Sequence, residues 1–142
     1  LFIGILFLTV NIFVHGAGVR AISQRFSRSW SKTTPTTPHW HVNLIFAAVI
    51  GAFALLHLFE TLLWASPIYL TGAIASFRDS YYFVLENYTT LGDDTVNLPP
   101  AWQLIGPIIA TAGLFTFGWT GSVLVGIMSE FGRWDRNRVN GA

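Results

Sequence analysis

The sequence predicts an all-α membrane protein, because apolar residues dominate it and fall into runs that are long enough to cross a bilayer. Of its 142 residues, 52% are hydrophobic and 11% are charged, and the mean hydropathy is +0.52. A soluble domain usually has about a quarter of its residues charged. Apolar runs of about 18 or more residues are typical of transmembrane helices.

Three apolar runs meet this length and predict three membrane crossings. The first helix is expected within residues 1–22, the second over 42–65 and the third over 102–131. The first run lacks the basic start and the cleavage site of a signal peptide. The second helix is expected to end at Ser66-Pro67, since the residue before a proline avoids the α region.

Basic residues follow the first and third runs, and this asymmetry predicts how the chain sits in the membrane. They are Arg20, Arg25, Arg28 and Lys32 after the first run and Arg133, Arg136 and Arg138 after the third. The positive-inside rule then places the connector 23–41 and the tail 132–142 in the cytoplasm, with the N-terminus and residues 66–103 outside. The expected location is the plasma membrane, and specifically the inner membrane of a bacterium.

Net charge and cysteine content narrow the classes of partner and cofactor. The net charge is +1, which gives no basic field for nucleic acid. There is no cysteine, so a disulfide framework and a thiolate metal site are excluded. The partners to expect are the lipid bilayer and, since one chain has no internal repeat with which to close a pore, identical subunits.

A shorter segment over residues 76–88 is predicted to be a re-entrant helix. At about 1.5 Å per residue it spans about 20 Å, which is less than the roughly 30 Å of a hydrocarbon core. It is rich in aromatic residues and also carries charged ones. Non-helical backbone at membrane depth is tolerated only where it is buried in protein or lines a wet cavity. The segment 89–95, which follows this helix, is expected to be such backbone.

The stretch from residue 76 to residue 131 resembles the pore domain of potassium channels. The order of its parts is the same: a short re-entrant helix, a Thr-Thr-x-Gly sequence, a proline turn and a glycine-containing helix. The residues similar to the end of a pore helix and to a selectivity filter are Glu86, Thr89, Thr90, Leu91 and Gly92. The resemblance implies a channel-like pore domain over 42–131, preceded by one additional transmembrane helix, and four identical subunits around a pore.

The filter residues suit the binding of a dehydrated cation. Rings of oxygen dipoles at a pore axis replace the water shell of potassium. The backbone carbonyls of Thr90, Leu91 and Gly92 and the Thr90 hydroxyl are expected to supply these rings. Such backbone needs left-handed dihedrals, which favour glycine, and Gly92 meets that need. The resemblance therefore implies a bound K⁺ or other cation and no further cofactor.

The second half of the filter departs from the family pattern. Potassium-channel filters usually continue Tyr-Gly-Asp, and this chain has Asp93, Asp94 and Thr95. Glu86 thereby loses the aspartate that pairs with it in the family. Rings of Asp93 and Asp94 carboxylates would concentrate cations and suit Ca²⁺. Three hypotheses stay open: a K⁺ or weakly selective monovalent cation channel, a divalent-permeable channel, and a non-conducting scaffold or regulatory subunit.

The third run carries small residues at four-residue spacing, a pattern that favours close contact between membrane helices. Within the stretch 112–118, which resembles the middle of a pore-lining inner helix, Gly113 is the candidate gating hinge. The residues expected to pack around it on the inner helix are Phe117, Gly118, Ser122 and Gly126.

Polar pairs on the first two helices are expected to face protein or water, because ionisable groups inside a membrane are costly. They are His57 with Glu60, one turn apart, and Asn11 with His15, four residues apart. A His-x-x-Glu pair binds metals in some helical bundles, so His57 and Glu60 are metal candidates; polar contact between helices is the favoured interpretation. Catalytic triads, phosphate loops and dinucleotide-binding turns are absent from the sequence, and no enzyme activity is expected.

The triple variant Asp93→Tyr, Asp94→Gly, Thr95→Asp restores the family filter pattern. We expect it to gain selectivity for K⁺ over Na⁺ with its assembly intact, because it supplies a glycine for positive φ and returns a partner to Glu86. Flux of the two ions from liposomes measures the change. A natural chain that already selects K⁺ as strongly as the variant would contradict the view that this filter is degenerate.

Overall fold

The computed structural model describes residues 2–92, 96 and 98–140. Its helices are α1 (Phe2–Trp30), α2 (His39–Leu70), α3 (Phe77–Tyr88) and α4 (Ile105–Asn140), with a 3₁₀ turn at Pro100–Trp102 before α4. Within these ranges there is no β-strand. Three of the helices, α1, α2 and α4, are long and apolar enough to cross a membrane, as a multi-pass membrane protein requires.

Helix α3 has the predicted short length and runs back along α2. Its start lies near the end of α2, where the rings of Phe77 and Tyr69 are 5.6 Å apart. Its last residue, Tyr88, reaches Glu60 near the middle of α2, with 2.5 Å between the phenol and carboxylate oxygens. Twelve residues cover about 18 Å, so α3 enters the bundle from one end and stops part of the way through it. Ser76 caps its start by accepting a hydrogen bond from the backbone amide of Asp79.

Two apolar cores hold the bundle together, one above the other along the helix axes. The upper core, at the end where α3 packs, contains Trp64, Ala65, Ile68, Ile74, Phe83, Val84, Tyr88, Ile105, Ile109 and Ala112. The lower core contains Val19, Phe26, Val49, Phe53 and Ile127. Helix α1 contacts both α2 and α4, and α3 contacts the same two helices in the upper half. The additional helix is therefore part of the bundle.

Helix α1 continues to Trp30, beyond the predicted boundary at residue 22, so much of the predicted 23–41 connector is helical. The reason is tertiary packing. Phe26 is buried in the lower core, and Ile22 and Trp30, four residues to either side, pack against it. The basic residue Arg25 lies on the exposed face. An amphipathic stripe thus extends the helix past its purely apolar part.

The sequence predicted that helix α2 ends at Ser66-Pro67. The helix instead continues through these residues to Leu70. A proline inside a helix removes one backbone hydrogen bond and costs about 3 kcal/mol. Ala65 and Ile68, on either side of it, are fully buried in the upper core. Packing of this last turn offsets the lost hydrogen bond, and the helix persists.

The two remaining helix starts differ from the prediction by three residues each. α2 begins at His39 and not at 42, directly after Pro38, whose backbone is extended. α4 begins at Ile105 and not at 102, because the 3₁₀ turn that starts at Pro100 occupies the intervening residues. Prolines are tolerated in such first turns, where their missing amide is not needed.

Helix α4 extends to Asn140 and so includes most of the predicted tail. Side chains of this extension bind the connector between α1 and α2. The Trp134 indole donates to the carbonyl of Thr34 at 2.9 Å, and the Arg138 guanidinium donates to that of Thr37 at 2.7 Å. The basic ends of α1 and α4 therefore lie at the same end of the bundle, as the positive-inside rule requires; the orientation in a membrane stays a prediction.

Gly113 lies where α4 crosses the end of α3. A Cβ atom built on Gly113 would be 1.9 Å from the carbonyl oxygen of Tyr88, which no real side chain allows. Gly118 and Gly126 are different, since a Cβ atom at either position would meet nothing within 4 Å. Glycine at 113 thus permits the contact between α3 and α4. Gly118 and Gly126, further along α4, face away from the described part of the chain.

Gly113→Ala is expected to lower the free energy of unfolding by about 1–3 kcal/mol, because the added methyl forces α4 away from α3. Gly118→Ala is the matched control in the same helix, where the open surroundings leave only a gain in helix propensity of up to about 1 kcal/mol. Unfolding in detergent, followed by circular dichroism, measures both. Equal stability of the two variants would contradict the close contact.

Candidate functional site

The predicted filter begins directly at the C-terminal end of α3. The backbone amides of Leu91 and Gly92 both donate to the carbonyl oxygen of Glu86, at 2.8 and 3.2 Å. Thr90 and Gly92 both have left-handed backbone, with φ of 63° and 82°. The segment therefore turns out of the helix through alternating left-handed residues, and Glu86 supports this turn with its backbone.

Thr90 is the unusual residue of this turn, because a β-branched side chain rarely adopts positive φ. Such backbone costs about 1–3 kcal/mol, and here the hydrogen bonds that end α3 hold it: the Leu91 amide donates to Glu86 and the Thr90 amide donates to the carbonyl of Asn87 at 2.9 Å, as in a left-handed helix C-cap. Residues 89–92 are exposed, and Leu91 is 77% exposed. The predicted ion-binding residues Asp93 and Asp94 and the support residue Thr95 lie outside the described residues.

A layer of buried polar side chains separates the upper core from the lower core. We call it the polar layer, and it consists of Asn11, His15, His57, Glu60, Thr61, Tyr88, Thr116 and Thr120. All four α-helices contribute to it. The two polar pairs that the sequence analysis assigned to separate helices therefore meet in one place.

The carboxylate of Glu60 is the centre of the polar layer, and its side chain is 0% exposed. One oxygen, Oε1, accepts a hydrogen bond from His15 Nδ1 at 2.8 Å. The other, Oε2, accepts from the Tyr88 hydroxyl at 2.5 Å and lies 3.6 Å from His57 Nδ1. Three helices thus direct polar hydrogens or ring nitrogens at a single carboxylate.

The hydroxyl of Thr120 connects the two imidazoles from the other side. It lies 3.1 Å from His57 Nε2 and 3.4 Å from His15 Nε2. A hydroxyl has one hydrogen and can accept two hydrogen bonds, so at least one histidine must donate its Nε2 hydrogen to Thr120. Both rings therefore present Nδ1 toward Glu60 and Nε2 toward Thr120.

Tyr88 joins the polar layer to the predicted filter, because it is the last residue of α3 and directly precedes Thr89. Its hydroxyl lies 2.6 Å from Thr116 Oγ1 on α4 and 3.3 Å from His57 Nδ1 on α2. The position of the filter relative to α2 and α4 thus depends on one buried phenol.

Asn11 is the member of the polar layer whose amide is not satisfied. The side chain is fully buried near the Tyr88 hydroxyl. Its amide nitrogen and oxygen make no hydrogen bond of ordinary length and angle in the described part of the chain, although the Tyr88 hydroxyl is close enough to interact with them. A buried polar group without a partner costs about 1–3 kcal/mol, and such groups point to a function or a bound species.

Three side chains of the polar layer could hold a metal ion, since one ligand atom from each of His15, His57 and Glu60 lies within 4.8 Å of the other two. Two of them, His57 and Glu60, are the metal candidates of the sequence analysis. His39 and His41 do not share this arrangement: the first packs against Trp134 and the second against Trp40.

Of the residues predicted on the inner helix, Gly113 is buried against Tyr88, whereas Phe117, Gly118, Ser122 and Gly126 have exposed positions on α4. Sequence reasoning missed Tyr88, Thr116 and Thr120 as site residues. A signal for the two threonines exists, since they lie four residues apart within an apolar run. The tyrosine is the only hydroxyl-bearing aromatic residue that directly adjoins the filter motif.

Comparison with protein-family models, with curated protein sequences and with solved structures found no match to this chain. The resemblance to potassium channels therefore rests on the residues of the chain itself. Function has to be argued from the geometry of α3, the turn that follows it and the polar layer.

Tyr88→Phe is expected to lower the free energy of unfolding by about 1.5–3 kcal/mol, because it removes a buried hydrogen bond to a charged group. Tyr69→Phe is the control: Tyr69 is an exposed tyrosine outside the polar layer, and its change is expected within about 0.5 kcal/mol. Denaturation in detergent with a helix signal gives both values. Equal losses in the two variants would contradict the role assigned to the Tyr88 hydroxyl.

Proposed function

We propose that this chain is the subunit of a tetrameric cation channel, with K⁺ or weakly selective monovalent conduction across a plasma membrane. The observation that carries the proposal is α3 together with its turn. A helix too short to span enters between two spanning helices and ends inside the bundle. It then continues into exposed backbone with left-handed residues at Thr90 and Gly92. The resemblance of this segment to a channel filter supports the same conclusion.

Electrostatics favour a cation at this position. The aligned peptide dipoles of a helix place a partial negative charge, equivalent to about half an elementary charge, at its C-terminus. In α3 that terminus, at Tyr88, points toward the middle of the bundle. Carbonyl oxygens of the following turn are the ligands that replace water around a potassium ion. The end of α3 therefore suits a cation and disfavours an anion.

A closed pore requires several copies, because one chain supplies one re-entrant helix. The turn Thr89–Gly92 is exposed, and so is an apolar face of α4 with Leu114, Phe117 and Val125. Gly118 and Gly126 on this face lack side chains and have open surroundings, so another helix can approach the backbone of α4 closely. Four copies around a common axis would bring the turns together, with α4 innermost and the remaining apolar surface against lipid.

The two alternatives depend on Asp93, Asp94 and Thr95. Two adjacent carboxylates in each of four copies favour a divalent-permeable channel, because Ca²⁺ binds oxygen ligands. The absence of the family's Tyr-Gly-Asp from the sequence favours a non-conducting scaffold or regulatory subunit. Monovalent conduction ranks first, since the half of the filter that retains the family pattern also has the left-handed backbone that it needs.

Liposomes that contain the purified chain are expected to release K⁺ passively, and Gly92→Ala is expected to abolish most of that flux. Alanine at the φ of 82° that Gly92 adopts costs about 1–2 kcal/mol and would distort the turn. Gly51→Ala is the matched control, because Gly51 is a helical residue with nothing near its missing side chain. Cross-linking in detergent checks that both variants assemble as the natural chain does.

The comparison of K⁺, Na⁺ and Ca²⁺ flux separates the three hypotheses. Flux of Ca²⁺ above that of the monovalent ions would move the divalent channel to first place. A chain that assembles but conducts none of the three ions would favour the scaffold. Cross-linking that never exceeds a dimer would contradict any pore formed by four copies.

A further inference from the structure

We propose that His15, His57 and Glu60 form a binding site for a divalent transition-metal ion, with Zn²⁺ as the probe. The site lies in the polar layer, away from the ion pathway assigned to the turn after α3. It connects the additional helix α1 to α2 and does not depend on whether the chain conducts ions.

The distances between the ligand atoms fit a metal ion of this size. Zinc binds imidazole nitrogen and carboxylate oxygen at about 2.0–2.2 Å, so two ligand atoms of a tetrahedral site are about 3.3–3.5 Å apart. His15 Nδ1 is 2.8 Å from Glu60 Oε1, and His57 Nδ1 is 3.6 Å from Glu60 Oε2. One ligand atom from each of the three residues lies within 4.8 Å of the other two, so side-chain shifts of up to about 1 Å would bring them around one ion.

The orientation of the imidazoles is that of metal ligands with supporting partners. A histidine that binds a metal through one ring nitrogen almost always donates the hydrogen on the other. In this bundle both Nδ1 atoms face Glu60, and both Nε2 atoms face the single hydroxyl of Thr120. With an ion bound, His15 would carry its hydrogen on Nε2 and no longer on Nδ1, from which it bonds Glu60 without the ion. The oxygen of Thr120 can accept both Nε2 hydrogen bonds, and both Nδ1 lone pairs would then face the ion.

Charge favours a cation here. Glu60 is fully buried at the centre of a bundle whose helices are long enough to span a membrane, and an ionised group in that position needs a partner of opposite charge. A proton on one imidazole would supply one positive charge. A divalent ion supplies two, binds three ligands at once and needs neither histidine to be protonated.

Tyr88 offers a fourth ligand position next to the three side chains. The Tyr88 hydroxyl, 2.5 Å from Glu60 Oε2 and 3.3 Å from His57 Nδ1, can occupy the fourth position or bind a water there. The unsatisfied amide of Asn11 lies next to that hydroxyl. The His57 side chain is 11% exposed, which makes it the least buried of the three ligands, and its ring packs 4.4 Å from the ring of Phe117.

The donor set selects the class of metal. Imidazole nitrogens suit zinc, copper, iron and nickel, whereas magnesium and calcium prefer sites made of oxygen alone. Two imidazoles and one carboxylate are also the protein ligands of several three-ligand zinc sites. The preferred ions are therefore late first-row divalent metals, and we expect magnesium and calcium to bind more weakly at similar concentration.

The test uses the purified full chain in detergent, stripped of metal with a chelator and then titrated with Zn²⁺ against a chromophoric chelator. We expect one Zn²⁺ per chain, retained through gel filtration and measured by elemental analysis. Co²⁺ in place of Zn²⁺ should give the visible absorption bands of a four-coordinate site with nitrogen and oxygen ligands. A natural chain that retains no Zn²⁺ would overturn the proposal and leave the hydrogen bonds between the histidines and Glu60 as the role of the layer.

Variants identify the ligands. His15→Gln, His57→Gln and Glu60→Gln are each expected to weaken Zn²⁺ binding at least about 100-fold, and Thr120→Val about 10–100-fold through loss of the supporting hydrogen bond. His39→Gln and His41→Gln are the controls, and both should bind Zn²⁺ as the natural chain does. Loss of binding in the controls together with retention in the first three variants would overturn the proposal. If a ligand variant does not fold, two measurements still test the proposal: the Co²⁺ spectrum of the natural chain and the Zn²⁺ affinity of Thr120→Val. A Co²⁺ spectrum without the bands of a four-coordinate site would overturn it.

Discussion

A carboxylate buried in a bundle of long apolar helices has to be compensated, and the contacts of all four helices are arranged around that constraint at Glu60. Its two oxygens receive hydrogen bonds from His15 on α1 and from Tyr88 on α3, and His57 lies one turn away on α2. Thr120 on α4 completes the ring of polar contacts by binding both histidines. An unpaired buried charge would be strongly destabilising, so each helix is held in a position that keeps Glu60 paired.

This polar layer explains why α1 belongs to the bundle and how α3 is placed. Helix α1 contributes apolar residues to both cores, but only His15 gives it a specific partner at the level of Glu60. Apolar packing alone specifies depth and rotation of a membrane helix poorly, whereas a hydrogen bond to one buried carboxylate specifies both. The hydrogen bond from Tyr88 to Glu60 fixes the position of the end of α3 in the same way. The turn at Thr90 and Gly92, which follows directly, is thereby positioned as well.

The two faces of α4 have different roles in this arrangement. On the inner face, Gly113 allows the carbonyl of Tyr88 to approach the helix backbone, and Thr116 binds the phenol of the same residue. On the outer face, a Cβ atom at Gly118 or Gly126 would meet nothing within 4 Å in the described part of the chain, as a surface for further copies or for lipid would require. Glycines with the same helical backbone thus serve different purposes, and only their surroundings distinguish them.

The sequence by itself determined the all-α class, the three apolar helices and the short helix between the second and third, because these follow from local composition, length and the spacing of apolar residues. It also showed which polar residues lie within the apolar helices, since His57 and Glu60 stand out in an apolar run. Only the tertiary structure decided that His15, Tyr88, Thr116 and Thr120 converge on them, because contacts between helices depend on rotation and depth that no local pattern encodes. For the same reason Pro67 did not end α2, where packing in the upper core outweighed the local preference of the backbone.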